Sequence, residues 1–168
     1  ALKNGVGLAT ACVPNELRDS LPGQAPEIMT VTPHNAPEFF TEEHAEFVEQ
    51  LAESRDAVVL GCGLGVHSQT AGFVQQLTKH LDGPLLIDAD GLNNLDKETL
   101  EERLGIAVIT PHPRELSRLS GKSVTEIQES RIATVRRLSQ EWNVVLLLKG
   151  AFTVIGNPDG RIFINPTG

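Results

Sequence analysis

Two carboxylates and an amide follow an apolar segment near the middle of the chain. Asp88 and Asp90 come directly after the apolar run at 85–87, and Asn93 completes the segment DADGLN. Carboxylate and amide oxygens at a strand end could orient a ligand hydroxyl or hold a hydrated Mg²⁺. The same side chains commonly cap backbone amides where a strand turns into a loop. The spacing alone leaves both interpretations open.

A histidine between two prolines is the second candidate. His112 lies in the segment TPHPREL, where Pro111 and Pro113 restrict the backbone on both sides of the imidazole. A histidine held in this way could donate a hydrogen bond to a phosphate or a hydroxyl. Glu115 falls on the first turn of a helix predicted to begin near Pro113, where the helix dipole favours an acid and where a carboxylate could bind a metal-bound water.

A glycine-rich segment and a lone lysine follow two further apolar runs. The segment GCGLG contains Gly61, Gly63 and Gly65, which let the backbone turn sharply and offer its amides to an anion. It is not the dinucleotide fingerprint GxGxxG, because Val66 stands where the third glycine is required. Lys149 follows the most apolar run, and either contact with a nucleotide phosphate or an ordinary position at a strand end is compatible with its sequence.

Apolar runs alternating with helical patterns indicate an α/β protein. The predicted strands cover 6–13, 27–32, 56–61, 84–88, 106–110 and 144–149, and NPDG joins 152–156 to 161–164 in a hairpin. One helix is predicted to begin at Thr41, a second carries Phe73, Val74, Leu77 and Leu81 on one face, and a third covers 96–104. A fourth is predicted to begin at a capping box of Ser123 and Glu126 and to run to about Trp142. Apolar strands without alternation predict a mostly parallel sheet, buried on both faces beneath helices.

The polar and glycine-rich segments all follow predicted strands. The segments GCGLG, DADGLN, TPHPREL and KGAFT come after four successive strands of the middle of the chain. In open α/β sheets, ligands bind outside the carboxyl ends of the strands. The sequence therefore predicts one shared site at this edge of the sheet.

Composition excludes several classes of protein. The chain has 168 residues, the size of one domain, and a net charge of −8 that disfavours nucleic acid and anionic membranes as partners. It has no apolar run of membrane-spanning length and its first residues do not resemble a signal peptide, so a cytoplasmic location is expected. Cys12 and Cys62 form no CxxC motif and are expected to be two buried free thiols in a reducing cytoplasm.

Together these motifs carry a family resemblance. In their order and spacing, GCGLG, DADGLN, TPHPREL and LKGAFTVIGNPDGRIFINPTG resemble the NAD(P)H-hydrate dehydratase family, and the resemblance covers essentially the whole chain. It implies a ribokinase-like fold with a three-layer arrangement. It also implies a repair reaction, in which (6S)-hydrated NADH or NADPH (NADHX or NADPHX) is dehydrated at the expense of ADP or ATP, with Mg²⁺.

The resemblance further implies roles for individual residues. Gly65 and His112 would contact the hydrated dinucleotide, and Glu115 and Asp88 would belong to a polar, magnesium-organising part of the site. The implied substrate-binding set is Gly63, Gly65, Asp88, Asn93, His112 and Glu115, and the implied adenine-nucleotide set is Lys149, Gly150, Ala151, Phe152 and Thr153.

The ends of the chain depart from the family pattern. Family members continue into a GSGD loop that supplies a catalytic aspartate, which would lie beyond Gly168, and they carry an N-terminal strand and helix before the segment ALKNGVG. We therefore expect residues 1–168 to be a single ribokinase-like domain, incomplete at both ends, without the catalytic aspartate and inactive alone. A homo-oligomer and a fused or paired epimerase are expected partners. A ribokinase-like kinase of a small alcohol and a non-catalytic nucleotide-binding module are the alternatives.

Overall fold

The strands form two sheets in the computed structural model, which describes residues 2–20, 23, 25–36 and 38–167. In the small sheet, β1 (Thr10–Cys12) pairs in parallel with β2 (Met29–Val31). The large sheet has its strands side by side in chain order: β3 (Val58–Leu60), β4 (Leu85–Ile87), β5 (Ala107–Ile109), β6 (Val145–Leu148), β7 (Thr153–Gly156) and β8 (Ile162–Asn165). The first four are parallel, and β7 and β8 are antiparallel additions. The predicted α/β class, mostly parallel sheet and C-terminal hairpin are confirmed.

The prediction about the end of the chain falls outside the described residues. Gly168 is not among them, and the catalytic aspartate of the family is expected beyond Gly168. The absence of that aspartate from residues 1–168, and the inactivity expected from it, therefore stay predictions.

Helices connect the strands. They are α1 (Ala45–Ala52), α2 (Ser68–His80), the single turn α3 (Asp90–Asn93), α4 (Lys97–Glu102), α5 (Pro113–Ser120), α6 (Val124–Glu129) and α7 (Arg131–Glu141), with short 3₁₀ helices at Leu2–Asn4, Asn15–Leu17 and Glu42–His44. Local signals define several ends. The predicted capping box of Ser123 and Glu126 begins α6, and the side chain of Asp96 caps α4 by accepting the amide of Thr99 at 2.8 Å. Within the described part of the chain, no helix is long and apolar enough to cross a membrane.

The prediction of one continuous helix from Ser123 to Trp142 is wrong. The chain leaves helical geometry at Ser130, with φ −133° and ψ 41°, and α7 starts at the next residue. Among the apolar residues of α7, Ile132 is 44% exposed, whereas Val135 is fully buried.

The strand order determines which face of the sheet the helices cover. Crossovers between parallel strands are right-handed, so three crossovers that step in one direction, from β3 to β6, place their helices on the same face. The side chains on that face form the core. One row across the strands consists of Leu60, Ile87, Ile109 and Leu146, each no more than 6% exposed.

The opposite face of the sheet is less buried. Its side chains are apolar and half-buried or exposed: Val59, Leu86, Val108, Leu147, Ile155 and Phe163. Val59 and Phe163, near its two ends, are 66% and 51% exposed. The predicted burial on both faces therefore holds for only one face among the described residues.

The prediction that both cysteines are buried is wrong for Cys62. Its side chain is exposed, whereas Cys12 is half-buried.

Candidate functional site

The carboxyl ends of β4, β5 and β6 meet at one edge of the sheet, as the sequence predicts. Lys149, at the end of β6, forms an ion pair through its Nζ with Oδ1 of Asp88, at the end of β4. The backbone amide of Lys149 donates to the carbonyl of Pro111, which follows β5, at 2.9 Å. Segments 61 residues apart in the sequence are thereby joined across the intervening strand.

Asp88 is held as a carboxylate. Burial by itself would raise its pKa, but the hydrogen bond and charge of Lys149, with neighbouring hydroxyl and amide donors, outweigh this and the net pKa lies below its usual value. The Thr110 hydroxyl lies beside Asp88 and contributes to that lowering, yet it is buried without a well-formed hydrogen bond to any described residue. The edge thus presents the ammonium of Lys149 paired with the carboxylate of Asp88.

The glycine-rich turn and the DADGLN turn interlock. Gly61 has φ +130°, and a Cβ there would lie 1.8 Å from the carbonyl oxygen of Asp88. Gly91 faces it, and a Cβ on Gly91 would lie 2.8 Å from the carbonyl oxygen of Leu60. Both positions therefore require glycine because two backbones approach each other closely.

Side chains of the DADGLN segment and its neighbour hold Gly65. The amide of Gly65 donates to Oδ2 of Asp90 at 2.9 Å, and its carbonyl accepts from Nδ2 of Asn94 at 2.7 Å. Asn93 donates to the other Asp90 oxygen, Oδ1, at 3.4 Å. Asp90 thus binds the protein's own backbone, which disfavours the hypothesis that it holds a metal or a ligand hydroxyl. Gly63 is exposed, and a Cβ there would meet nothing within 4 Å.

His112 caps helix α5. Its Nδ1 accepts the amides of Arg114 and Glu115, each at 3.2 Å, while Oε2 of Glu115 accepts the amide of His112 at 2.8 Å. Because Nδ1 accepts both amides, we assign the donor role to Nε2, which lies 3.3 Å from Oε1 of Glu115. Both oxygens of Glu115, which is 7% exposed, face His112, and this favours a positioning role over metal binding.

The predicted nucleotide segment is an exposed loop with unusual backbone geometry. Phe152 has φ +58° and is 60% exposed, and Gly150 has φ +139°. The Arg131 guanidinium packs against Gly150 and donates to the carbonyl of Leu148 at 3.1 Å, and the Thr153 hydroxyl donates to the carbonyl of Gly150 at 3.3 Å. Positive φ at an exposed aromatic residue costs energy, and such strain is concentrated at ligand-binding loops.

Sequence reasoning missed two contributors to this edge. Asn94 is the second asparagine of GLNNL, and only the tertiary contact with Gly65 distinguishes it from Asn93. The pattern around His112 predicts ligand contact and does not predict that His112 caps a helix. The signal was present, because His112 lies three residues before Glu115, which is the spacing of a capping box. No described hydrogen bond or ion pair joins His112 to Gly65.

A cavity of about 470 Å³ lies at the opposite edge, by the amino ends of β3 and β4. Glu49 in its wall already accepts from Gln76 at 3.1 Å and contacts His80 at 3.1 Å. Because ligands of open parallel sheets bind at the carboxyl ends of the strands, we assign the candidate site to the edge formed by Asp88 and Lys149.

Fold and site together define an α/β protein whose candidate site lies at the carboxyl edge of its parallel strands. A family model described as NAD(P)H-hydrate dehydratase matches residues 1–168. The bifunctional NAD(P)H-hydrate repair enzyme of Moorella thermoacetica is 41% identical over 172 residues, which cover 100% of this chain and 32% of that protein. The chain therefore belongs to the NAD(P)H-hydrate dehydratase family.

Solved structures agree with this assignment. The ADP/ATP-dependent NAD(P)H-hydrate dehydratase from Bacillus subtilis, co-crystallized with ATP/Mg²⁺ and soaked with CoA, matches with a TM-score of 0.81 at 27% identity over 100% of this chain and 58% of that one. A ribokinase-like superfamily protein from Enterococcus faecalis matches with a TM-score of 0.77 at 22% identity, over 98% of this chain and 54% of that one, and supports the fold alone. The chain thus spans about a third of the Moorella protein and somewhat over half of the Bacillus structure.

Proposed function

We propose that the protein containing this chain restores (6S)-hydrated NADH or NADPH by a dehydration driven by ADP or ATP. The terminal phosphate of the nucleotide would be transferred to the hydroxyl of the hydrate, which gives up its proton. The C–O bond would then break so that the oxygen leaves as inorganic phosphate, while the adjacent ring carbon loses a proton and the ring double bond forms. The observation that carries the proposal is the ion pair between Asp88 and Lys149, which brings the DADGLN and KGAFT segments together at the carboxyl edge in a member of this family.

Lys149 is the residue proposed to meet the nucleotide phosphates. Its ammonium lies at the sheet edge, 44% exposed, and it is anchored by the backbone hydrogen bond to Pro111. A half-exposed ammonium at a strand end can form charge-assisted hydrogen bonds with a phosphate while Asp88 fixes its direction. The loop Gly150–Thr153 that follows would present its amides and the exposed ring of Phe152 to the rest of the nucleotide.

The residues at the edge fit a magnesium ion that arrives with the nucleotide. Among the residues that the structure describes, no group of three His, Cys, Asp or Glu side chains could hold a metal by itself. Mg²⁺ commonly binds through one or two carboxylates together with substrate phosphates and waters, and Asp88 is the carboxylate placed to contribute. Bound in this way, the ion would supply positive charge to the phosphate being transferred.

His112, Glu115 and Gly65 are proposed to bind the hydrated dinucleotide. The His112 ring is half exposed, so its Nε2–H can donate to a ligand oxygen in place of Glu115. Glu115 would keep the ring in this tautomer and direction. Asn93 and Gly63 line the same edge and complete the proposed substrate-binding set.

The test compares two charge deletions in the full-length protein. Lys149→Met should weaken ADP binding by about tenfold or more, since a charge-assisted contact is lost. Lys97→Met removes the same charge from an exposed side chain at the start of α4, where Lys97 lies 3.8 Å from Glu98, and should leave ADP affinity within about twofold. Equal effects of the two substitutions would contradict the assignment of Lys149.

The reaction itself is tested by its product. The wild-type protein, given hydrated NADH, Mg²⁺ and either ADP or ATP, should regenerate the absorbance of NADH and release inorganic phosphate. A phosphorylated small alcohol with no restored NADH would instead identify a kinase of the same fold. Nucleotide binding without any turnover would identify a binding module.

A second comparison tests His112. His112→Ala should raise the Kd for the hydrated dinucleotide more than the Kd for ADP, whereas His80→Ala, on the exposed end of α2, should change neither. Equal losses of affinity for both ligands in the His112 variant would refute its assignment to the hydrated dinucleotide.

Three wider features complete the proposal. The Moorella relative is named as bifunctional, which supports a second catalytic unit on the same chain, for which an epimerase is the candidate. A homo-oligomer would cover part of the exposed apolar sheet face. The free thiols of Cys12 and Cys62 are compatible with a reducing cytoplasmic location.

A further inference from the structure

Two side chains, one from the turn α3 and one from the residue that follows it, bind both backbone polar groups of Gly65. The amide of Gly65 donates to Asp90 and its carbonyl accepts from Asn94, at 2.9 Å and 2.7 Å. These partners lie 25 and 29 residues further along the chain. Both backbone polar groups of Gly65 are therefore fixed by side chains of another loop.

The side chains of Asp90 and Asn94 are themselves held by further hydrogen bonds. Asn94 is 5% exposed, and its Nδ2 also donates to the carbonyl of Asp90 at 2.8 Å. Asn93 donates to the Asp90 oxygen that Gly65 does not use. The close approach of Gly61 to Gly91 brings the two loops together. Each member of the cluster thus has a partner that holds its direction.

Gly65 needs this support because of its conformation. Its φ is +73°, in a segment where Gly61 and Gly63 also have positive φ. Three glycines at alternate positions give the loop many accessible conformations, so without external hydrogen bonds it would sample alternatives. Holding a residue that is proposed to contact the ligand removes that freedom before binding, and preorganisation of this kind raises affinity.

We propose that Asp90 and Asn94 are positioning residues, which hold Gly65 in the conformation that binds the hydrated dinucleotide. The inference rests on the proposed function, since it takes Gly65 as a contact of that substrate. The role of Asp90, the second carboxylate of DADGLN, is then to hold Gly65 of the segment GCGLG rather than to bind a metal. Asp88 faces Lys149 on the nucleotide side, and Asp90 faces Gly65 on the substrate side.

The test uses Asp90→Ala and Asn94→Ala in the full-length protein. Each should raise the Kd for the hydrate of NADH by about tenfold or more, because a misplaced contact residue costs binding at a distance from the substitution. The Kd for ADP should stay within about twofold. Asp90→Asn keeps an oxygen that can accept the Gly65 amide and should recover most of the lost affinity.

Asp96→Ala is the matched control. Asp96 caps α4 through the amide of Thr99, so its removal also costs stability, but it makes no hydrogen bond with Gly65. This variant should bind the hydrate of NADH within about twofold of wild type. The same loss of affinity in Asp96→Ala as in Asp90→Ala, or equal losses for ADP and the hydrate, would overturn the inference.

The readouts separate this inference from the proposed function. A wild-type protein that binds the hydrate, with Asp90→Ala and Asn94→Ala unchanged in affinity, overturns the positioning role alone. A wild-type protein that binds no hydrate at all refutes the proposed function, and the positioning role with it. Faster amide hydrogen exchange at Gly65 in both variants, together with the selective loss of affinity, is the result we expect.

Discussion

Replacing Gly61 by alanine tests the close approach on which the site depends. The added Cβ would lie 1.8 Å from the backbone carbonyl oxygen of Asp88 and 2.6 Å from the amide nitrogen of Gly91. Because both contacts are backbone atoms, no side-chain rotation can relieve them. The two turns would have to separate, which breaks the hydrogen bond from the amide of Asp88 to the carbonyl of Leu60, 3.1 Å in the present structure.

The magnitude follows from these contacts. Positive φ alone costs an alanine about 1–2 kcal/mol. Separation of the turns adds a lost hydrogen bond and looser packing, so Gly61→Ala should lower the free energy of unfolding by about 4 kcal/mol or more, at the upper end of single substitutions. Gly63→Ala is the matched control, since its φ is +75° but its Cβ would meet nothing within 4 Å, and it should cost about 1 kcal/mol.

Urea unfolding of both variants measures the difference. The slope with denaturant should stay similar while the midpoint of Gly61→Ala falls well below that of Gly63→Ala. A Gly61 variant that does not fold where the Gly63 variant does is the same result in a stronger form. Free energies of unfolding within about 1 kcal/mol of each other would refute the interlocked turns.

Three further predictions concern charge and thiol chemistry. Arg103, 4% exposed, donates to four backbone carbonyls around the end of α2 and the start of β5, and Arg103→Met should lower the free energy of unfolding by about 3 kcal/mol in urea, because buried carbonyls lose their donors. Burial raises the pKa of Cys12 to about 11, so a thiol reagent at neutral pH should modify the exposed Cys62 and spare Cys12; two equally fast thiols per chain would contradict this. Folding lowers the pKa of Asp88, so the carboxylate contributes its full stabilisation above about pH 4 and loses it as the pH falls through the pKa of the folded state. Asp88→Asn should remove this pH dependence of the free energy of unfolding. The change should be below about 1 kcal/mol, because the ion pair is partly exposed.

Local patterns were sufficient to predict much of the fold. Apolar runs located the strands, the NPDG turn predicted the hairpin of β7 and β8, and Ser123 with Glu126 located the start of α6. Each of these features depends on contacts within a few residues, which the order of side chains along the chain already specifies. The polar segments at successive strand ends predicted the shared edge, because parallel strands end on the same side of a sheet.

The sequence could not predict where each polar group would point. Asp88 and Asp90 are two residues apart and equivalent by type, yet one pairs with Lys149 and the other holds Gly65. Their partners lie 61 and 25 residues away. Which partner each carboxylate meets depends on the register of β4 against its neighbours and on the geometry of the turn α3, neither of which a local pattern encodes.

Strand order was decided by the tertiary structure alone. The amino-acid pattern of apolar strands is the same whether helices cover one face of the sheet or both, since it records how apolar a strand is and not what lies beside it. The stepwise order from β3 to β6, with right-handed crossovers, placed the connecting helices on one face and left Val59 exposed on the other. Composition and spacing therefore determined the class, the motifs and the edge at which they meet, while packing between distant segments decided the layers and the partner of every charged group in the site.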